Sequence, residues 1–271
     1  MIRAVQPAVV AHRGASAHRA EHTVAAYALA IEQGADGLEC DVRVTRDGHL
    51  VCVHDRKVDR TSTGRGVVST LTLDRLSELD YGSWHAGMPD SADDLVRQPV
   101  WTPDPDERGV LTLESLLDLV ADSPGTKLFV ETKHPVRYGG LVEAKLVAML
   151  SRYGMARPKS KEDSQVVMMS FSARAVRRVR EHTPSLPTVL LLENLSVVRW
   201  DGKLPPYADL TGPGVHILRT DPEYVERARS FGHETYVWTV DDPADVALCQ
   251  RLGVRYLATN SPATTLGMLN R

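Results

Sequence analysis

The sequence predicts an α/β protein, and within that class a closed barrel of eight parallel strands with an insertion after the second. Three observations carry this expectation. Short apolar runs alternate with helix-period segments along most of the chain, eight strand candidates can be counted, and titratable residues stand at the carboxyl ends of several of them. Alternating β and α segments build a parallel sheet, and eight units favour closure into a TIM (β/α)8 barrel. With 271 residues, the chain reads as a single barrel domain over 1–271.

Residues 7–11 (PAVVA) are apolar on both faces, as a strand covered by helices requires, and end in His12-Arg13-Gly14. Thr23 caps a helix VAAYALAIEQ that Gly34 closes. Strand 37–44 completes a βαβ unit. Thr45-Arg46-Asp47-Gly48 turns the chain, which returns through Leu50–Val53 to His54-Asp55. Residues 56–110 break the rhythm: polar and turn-rich, with one short helix near 72–79, they are too long for a βα loop. They read as an insertion on one face, lacking the apolar periodicity for a core of their own.

Alternation resumes at 111 with the helix LTLESLLDLVADS, capped by Thr112, then strand 128–133 (LFVETK). The amphipathic helix GLVEAKLVAMLSRYG and strand 165–171 (QVVMMSF) follow. Helix SARAVRRVREHTP, with a basic outer face, leads to strand 188–194 (TVLLLEN). The connection 195–214 shows no helix, and VHILRT (215–220) is the next strand expected. Helix PEYVERARSFG, with Pro222 in its first turn, precedes strand 234–240 (ETYVWTV). Helix DPADVALCQRLG, strand 254–260 (VRYLATN) and helix PATTLGMLN end the count.

Composition excludes several function classes. With 32 basic against 35 acidic residues the net charge is −3, so no broad basic field invites nucleic acid. Aromatics make up only 6%, too few for a base-stacking surface. Cys40, Cys52 and Cys249 lack metal-type spacing and read as small buried apolar residues. The opening MIRAVQPAVVAHRG lacks the features of a secretory signal, and no apolar run is long enough to span a bilayer. The chain as it stands is expected to be cytoplasmic, although a leader removed beforehand would leave no trace.

Chemistry concentrates in residues 37–55. Glu39 and Asp41 alternate with Leu38, Cys40 and Val42, so both carboxylates point to one side of the strand. Convergent carboxylates suit a hard divalent cation. A lone Glu-x-Asp is more often a solvent-facing pair; His54, arriving beside it, gives the stretch its catalytic outline. In a barrel, the carboxyl ends of the strands share one mouth. That would gather His12, Arg13, Glu39, Asp41, His54, Glu131, Lys133 and Trp238. Three carboxylates can hold one cation, two histidines can exchange protons, and Arg13 and Lys133 can bind an anion. Such a set describes phosphoryl transfer better than carbonyl chemistry. Glu131 and Lys133 could instead be a surface pair, but unpaired charge on a buried strand is costly. Trp238 could equally fill core. His18, His49, His85, His134 and His182 read as solvated or structural, and the Arg-rich run 174–180 as a solvated helix face.

The motifs His12-Arg13-Gly14, Glu21-His22-Thr23, Gly34-Ala35-Asp36-Gly37, Glu39-Cys40-Asp41-Val42, Thr45-Arg46-Asp47-Gly48, His54-Asp55, Arg60-Thr61 and Gly64 occur in that order. With Glu131-x-Lys133, Ser170-Phe171 and Trp238-Thr239-Val240, the chain resembles the glycerophosphodiester phosphodiesterase family along essentially its whole length. The resemblance implies a TIM barrel with an insertion after the second strand. It implies one divalent cation, Ca2+ or Mg2+, on Glu39, Asp41 and Glu131, with His12 and His54 as the acid/base pair. Arg13 and Lys133 would hold phosphate, Glu21 would sit in the same pocket, and Phe171 and Trp238 would line the wall facing the alcohol or glycerol. The implied activity is hydrolysis of glycerophosphodiesters, such as deacylated phospholipids, to sn-glycerol 3-phosphate and an alcohol, within glycerophospholipid catabolism. The small-molecule diester is the only partner implied; no protein partner is indicated. Ala20, His22 and Asn260 depart from the commoner Pro, Asn and Asp, and Asn260 reads as structural. Three other readings stand beside this one. The barrel could act on sphingomyelin or lysophospholipids, bind phosphodiesters without turnover, or scaffold through its insertion.

Overall fold

The computed structural model describes residues 6–85, 108–194 and 200–271. Its strands are β1 (Ala8–His12), β2 (Gly37–Val44), β3 (Leu50–Cys52), β4 (Lys127–Thr132), β5 (Val166–Ser170), β6 (Thr188–Leu192), β7 (Leu210–Pro213), β8 (Glu234–Val237) and β9 (Tyr256–Thr259). All but β3 run parallel, in the order β1-β9-β8-β7-β6-β5-β4-β2, and pairing of β1 with β2 closes the barrel. β3 lies outside the closed ring, antiparallel to β2 with Cys52 opposite Val42.

The strands are short and buried because both faces pack. Alternate residues (Val10, Phe129, Val167, Met169, Val189, Leu191, Tyr236) fill the barrel interior, while their neighbours (Val9, Leu38, Cys40, Val130, Met168) pack under the helices. The helices are α1 (Val24–Glu32), α2 (Leu73–Ser77), α3 (Leu113–Ala121), α4 (Leu141–Arg152), α5 (Ala173–His182), α6 (Val215–Thr220), α7 (Tyr224–Ser230), α8 (Pro243–Leu252) and α9 (Pro262–Met268), and α2 packs instead in the insertion beside β3. Thr23 caps α1, accepting from the Ala26 amide at 3.2 Å, and Thr112 caps α3 through Ser115. Among the described residues no helix is long and apolar enough to cross a membrane.

The structure corrects three details. VHILRT is not a strand but α6, and the barrel strand is the preceding LTGP of β7. A short buried apolar run does not distinguish strand from helix by period. Pro222 precedes Glu223, the cap residue of α7, instead of lying in its first turn. The insertion buries more than its pattern suggests: Val58, Val68, Leu76 and Tyr81 cluster on Val51 and Val53 beside β3. These residues come from separate short segments, Val68 from a 3-10 turn and Leu76 from α2, so no shared periodicity announces them. Residues 86–107 of the expected insertion and 195–199 of the long connection lie outside the described residues.

Candidate active site

Register assembles the site. The β1–β2 pairing sets His12 opposite Glu39, and the β2–β4 pairing sets Asp41 opposite Glu131. Glu39, Asp41 and Glu131 are buried, and each offers an oxygen within 4.8 Å of the others. Arg13 follows β1 with φ 59, a left-handed conformation costly for a side-chain-bearing residue. In that conformation its amide donates to Glu39 Oε2 at 3.1 Å. Its guanidinium lies 3.2 Å from Asp41 and 3.1 Å from Glu21. Lys133, just past β4, lies 2.9 Å from Glu131 and 3.3 Å from Asp41. His22 Nε2 donates to Asp41 Oδ2 at 3.0 Å, and its other nitrogen meets the Tyr27 hydroxyl at 2.8 Å.

Burial and the neighbouring Asp41 push the Glu39 and Glu131 carboxyls up. Burial would also raise Asp41, but Lys133, His22 and Arg13 outweigh it and hold that carboxyl well below its usual range. Three carboxylates therefore share the two cations Arg13 and Lys133, and the Arg13 Nε stays buried without a hydrogen bond. An all-oxygen donor set with excess negative charge fits a hard cation such as Ca2+ or Mg2+.

The two histidines share the mouth but differ in support. Asn260 Nδ2 donates to Asp241 Oδ2 at 2.6 Å, which turns its amide oxygen toward His12 Nδ1 at 2.8 Å. The Nδ1–H therefore donates to Asn260 and leaves Nε2 as the free nitrogen. Burial and Arg13 lower the His12 imidazole to about 4. His54 Nδ1 instead meets a carboxylate, Asp55 Oδ1, at 2.7 Å. Arg43 donates two hydrogen bonds to the His54 carbonyl and fixes its backbone. Arg60, from the insertion, donates to Asp55 at 2.7 Å and to Glu21 at 2.9 and 2.7 Å, tying both loops together.

His12, Arg13, Glu39, His54, Glu131, Lys133, Phe171 and Trp238 line one cavity of about 210 Å³, with Phe171 and Trp238 packed edge-to-face at 5.3 Å. Asp41 lies beside it against Lys133 and Arg13. Glu21 lines a neighbouring cavity of about 420 Å³ that shares His12 and Arg13. Every residue picked out by sequence thus falls in one region. Sequence reasoning missed the support: Asn260 and Asp241 behind His12, Arg60 between Glu21 and Asp55, and His22 on Asp41. Signals existed for His22 and Arg60, which stand inside the Glu21-His22-Thr23 and Arg60-Thr61 motifs, and Asn260 stood out only as a departure; Asp241 had none.

Comparison with known proteins places this geometry. The chain is 49% identical over 271 residues to the Mycobacterium tuberculosis protein named "Probable glycerophosphodiester phosphodiesterase 1", covering 99% of this chain and 94% of that protein. It is 35% identical over 258 residues to a Bacillus subtilis glycerophosphodiester phosphodiesterase, covering 93% and 83%. Among solved structures, an Oleispira antarctica phosphodiesterase in complex with the product sn-glycerol-3-phosphate shares the fold, with TM-score 0.81, 21% identity and 98% coverage of both chains. Residues 12–264 match the model of the "Glycerophosphoryl diester phosphodiesterase family", and this chain belongs to that family.

Proposed function

We infer that the cup at the barrel mouth carries out the reaction of this family. The chain is a glycerophosphodiester phosphodiesterase, hydrolysing glycerophosphodiesters to sn-glycerol 3-phosphate and an alcohol, and 1–271 serves as one barrel domain built around that site. The observation that supports this best is the buried trio Glu39, Asp41 and Glu131, with oxygens within 4.8 Å of one another, beside two cationic side chains. The trio would hold one divalent cation, Ca2+ or Mg2+. Bound there, it would supply Lewis-acid stabilisation of charge developing on phosphoryl oxygens.

The chain's own residues do the rest. Arg13 and Lys133 hold the phosphate; Glu21, locked to Arg13 and Arg60, keeps that guanidinium aimed. His12 presents a neutral Nε2 and takes the proton from the glycerol 2-hydroxyl as it attacks phosphorus. His54, whose Nδ1–H rests on a carboxylate, protonates the departing alkoxide, a poor leaving group without a donor. Water then opens the cyclic phosphate with the two roles exchanged. Phe171 and Trp238 wall the substrate in.

His12→Ala and His54→Ala should each lower kcat for glycerophosphocholine by about 100-fold or more with the circular dichroism spectrum intact. EDTA should abolish turnover and Ca2+ or Mg2+ restore it. Near-normal turnover in either variant, or indifference to chelation, would refute this reading.

A further inference from the structure

We propose that the cavity between the insertion and the loop after β4 is a second anion site, separate from the catalytic cup, for a small phosphate monoester. Arg43, Arg56 and Arg137 line this cavity of about 460 Å³, and no Asp or Glu does. It shares no lining residue with the cavity of His12, His54, Glu39 and Glu131.

Each arginine arrives from a different piece of local structure. On β2 the row that turns Glu39 and Asp41 toward the mouth continues to Arg43, which is half-buried. Its Nε and Nη2 donate to the His54 carbonyl at 3.0 and 2.7 Å, which fixes the guanidinium plane and leaves Nη1 to the cavity. The Arg56 carbonyl accepts from the Val68 amide at 3.1 Å, bringing residues 67–70 alongside. Arg137 belongs to the loop after β4, its guanidinium 5.4 Å from the Tyr138 ring centroid.

Nothing in the described chain answers this charge. Among the described residues no carboxylate forms an ion pair with any of the three guanidiniums. The acids next to Arg56 in sequence are engaged, Asp55 by His54 and Arg60 and Asp59 by the Gly66 amide at 2.9 Å. Other shielded arginines here do have acids: Arg13 pairs with Glu21 and Asp41, Arg180 with Asp209 and Arg227 with Asp221. Like charges gathered in one cavity repel, and a bound anion offsets that. The guanidinium fork matches phosphate oxygens. A phosphate monoester brings about two negative charges, where a carboxylate brings a single one. The Ser69 hydroxyl, without a hydrogen-bond partner among the described residues, adds a donor, and Val67 and Val136 give apolar wall for a short carbon tail.

The cavity stands independently of the phosphodiesterase reading, but the family's product, sn-glycerol 3-phosphate, is a monoester of this class and serves as the probe. Equilibrium dialysis of the full chain against the labelled compound, with Mg2+ supplied, counts the sites. Wild type should hold two molecules per chain, one in the cup and one between the arginines. Lys133→Ala should keep the second alone. Arg56→Ala combined with Arg137→Ala should keep the first alone, the other site weakening about tenfold or more. That double variant should cleave glycerophosphocholine with wild-type kcat/KM, since neither side chain lines the cup. Phosphatidylcholine vesicles carrying phosphatidic acid form the second arm. If wild type sediments with them, the double variant does not, and dialysis counts the cup alone, the same chemistry is assigned to a lipid headgroup. A single molecule per chain that Lys133→Ala abolishes, with no vesicle binding, would overturn the second site and leave the phosphodiesterase reading intact. So would an unchanged count of two in the double variant. A wild type that cleaves no glycerophosphodiester yet loses one of two bound molecules in the double variant would remove that reading and keep this site.

Discussion

His12 and His54 differ by one atom type in the partner behind the ring, an amide oxygen against a carboxylate. Behind His12 the neutral amide fixes the tautomer without adding charge, as suits a base. Behind His54 the carboxylate favours the charged ring, as suits an acid. Burial lowers the His54 imidazole, with Arg13 and Lys133 adding to it, while Asp41 and Asp55 pull the other way. Removing the carboxylate therefore lowers His54 further. Because a general acid works only while protonated, the alkaline limb of the kcat/KM profile should move to lower pH in Asp55→Asn. A pH–rate series on both proteins checks this, and a limb that stays in place would remove His54 from the acid role. Asp55 could be guessed from sequence, since it follows His54. Asn260 could not: its contact spans 248 residues and exists only because β9 pairs with β1.

At the scale of elements, the loops after β1 and β3 are joined by an arginine from the insertion. Burial alone would raise Glu21 and Asp55. For Glu21, Arg60 and Arg13 outweigh it; for Asp55, Arg60 and His54 do, and both carboxyls fall to about 2. Depressed carboxyls contribute stability above their ordinary values near 4, and that contribution disappears as pH falls toward 2. Arg60 is 45% exposed on its side chain, so solvent screening limits the effect. Arg60→Ala should cost about 1 kcal/mol at pH 7, and the gap from wild type should close toward pH 2. Urea denaturation at both pH values measures it; a gap independent of pH would mean the arginine acts by packing. The same scale shows where sequence misleads. Gly212 lies so close to β6 that an added Cβ would sit 2.6 Å from the Leu191 side chain. A strand reading LTGP therefore meets a packing need, although its Gly-Pro pair reads as a turn. The richer VHILRT that follows draws the strand assignment to itself. The flanking strand β6 was legible because its apolar run TVLLL is longer and follows a helix.

Across the whole molecule, barrel closure is what turns scattered acids into a cup. Glu39 and Asp41 come from β2 and Glu131 from β4, about 90 residues on, and only parallel pairing at matched height brings them together. Parity on each strand was legible in the sequence; which strands are neighbours came from counting eight units. Closure also buries three carboxyls together, and the burial and the neighbouring Asp41 that push Glu39 and Glu131 up oppose folding of the cation-free protein at neutral pH. A cation that binds the folded chain alone should then stabilise it by about 2.7 kcal/mol at a hundredfold excess over Kd. For a chain of this size that raises Tm by about 5–10 °C. Glu131→Gln keeps the shape while removing one buried carboxyl, which burial and Asp41 push up to about 8, and one ligand. The cation-free variant should melt at or above wild type, yet gain less than half the wild-type increment from Ca2+ or Mg2+. Differential scanning calorimetry separates the two effects, because a merely structural Glu131 would lower the cation-free Tm and leave the increment whole. An undiminished increment would show that Glu131 is no part of the cation's shell.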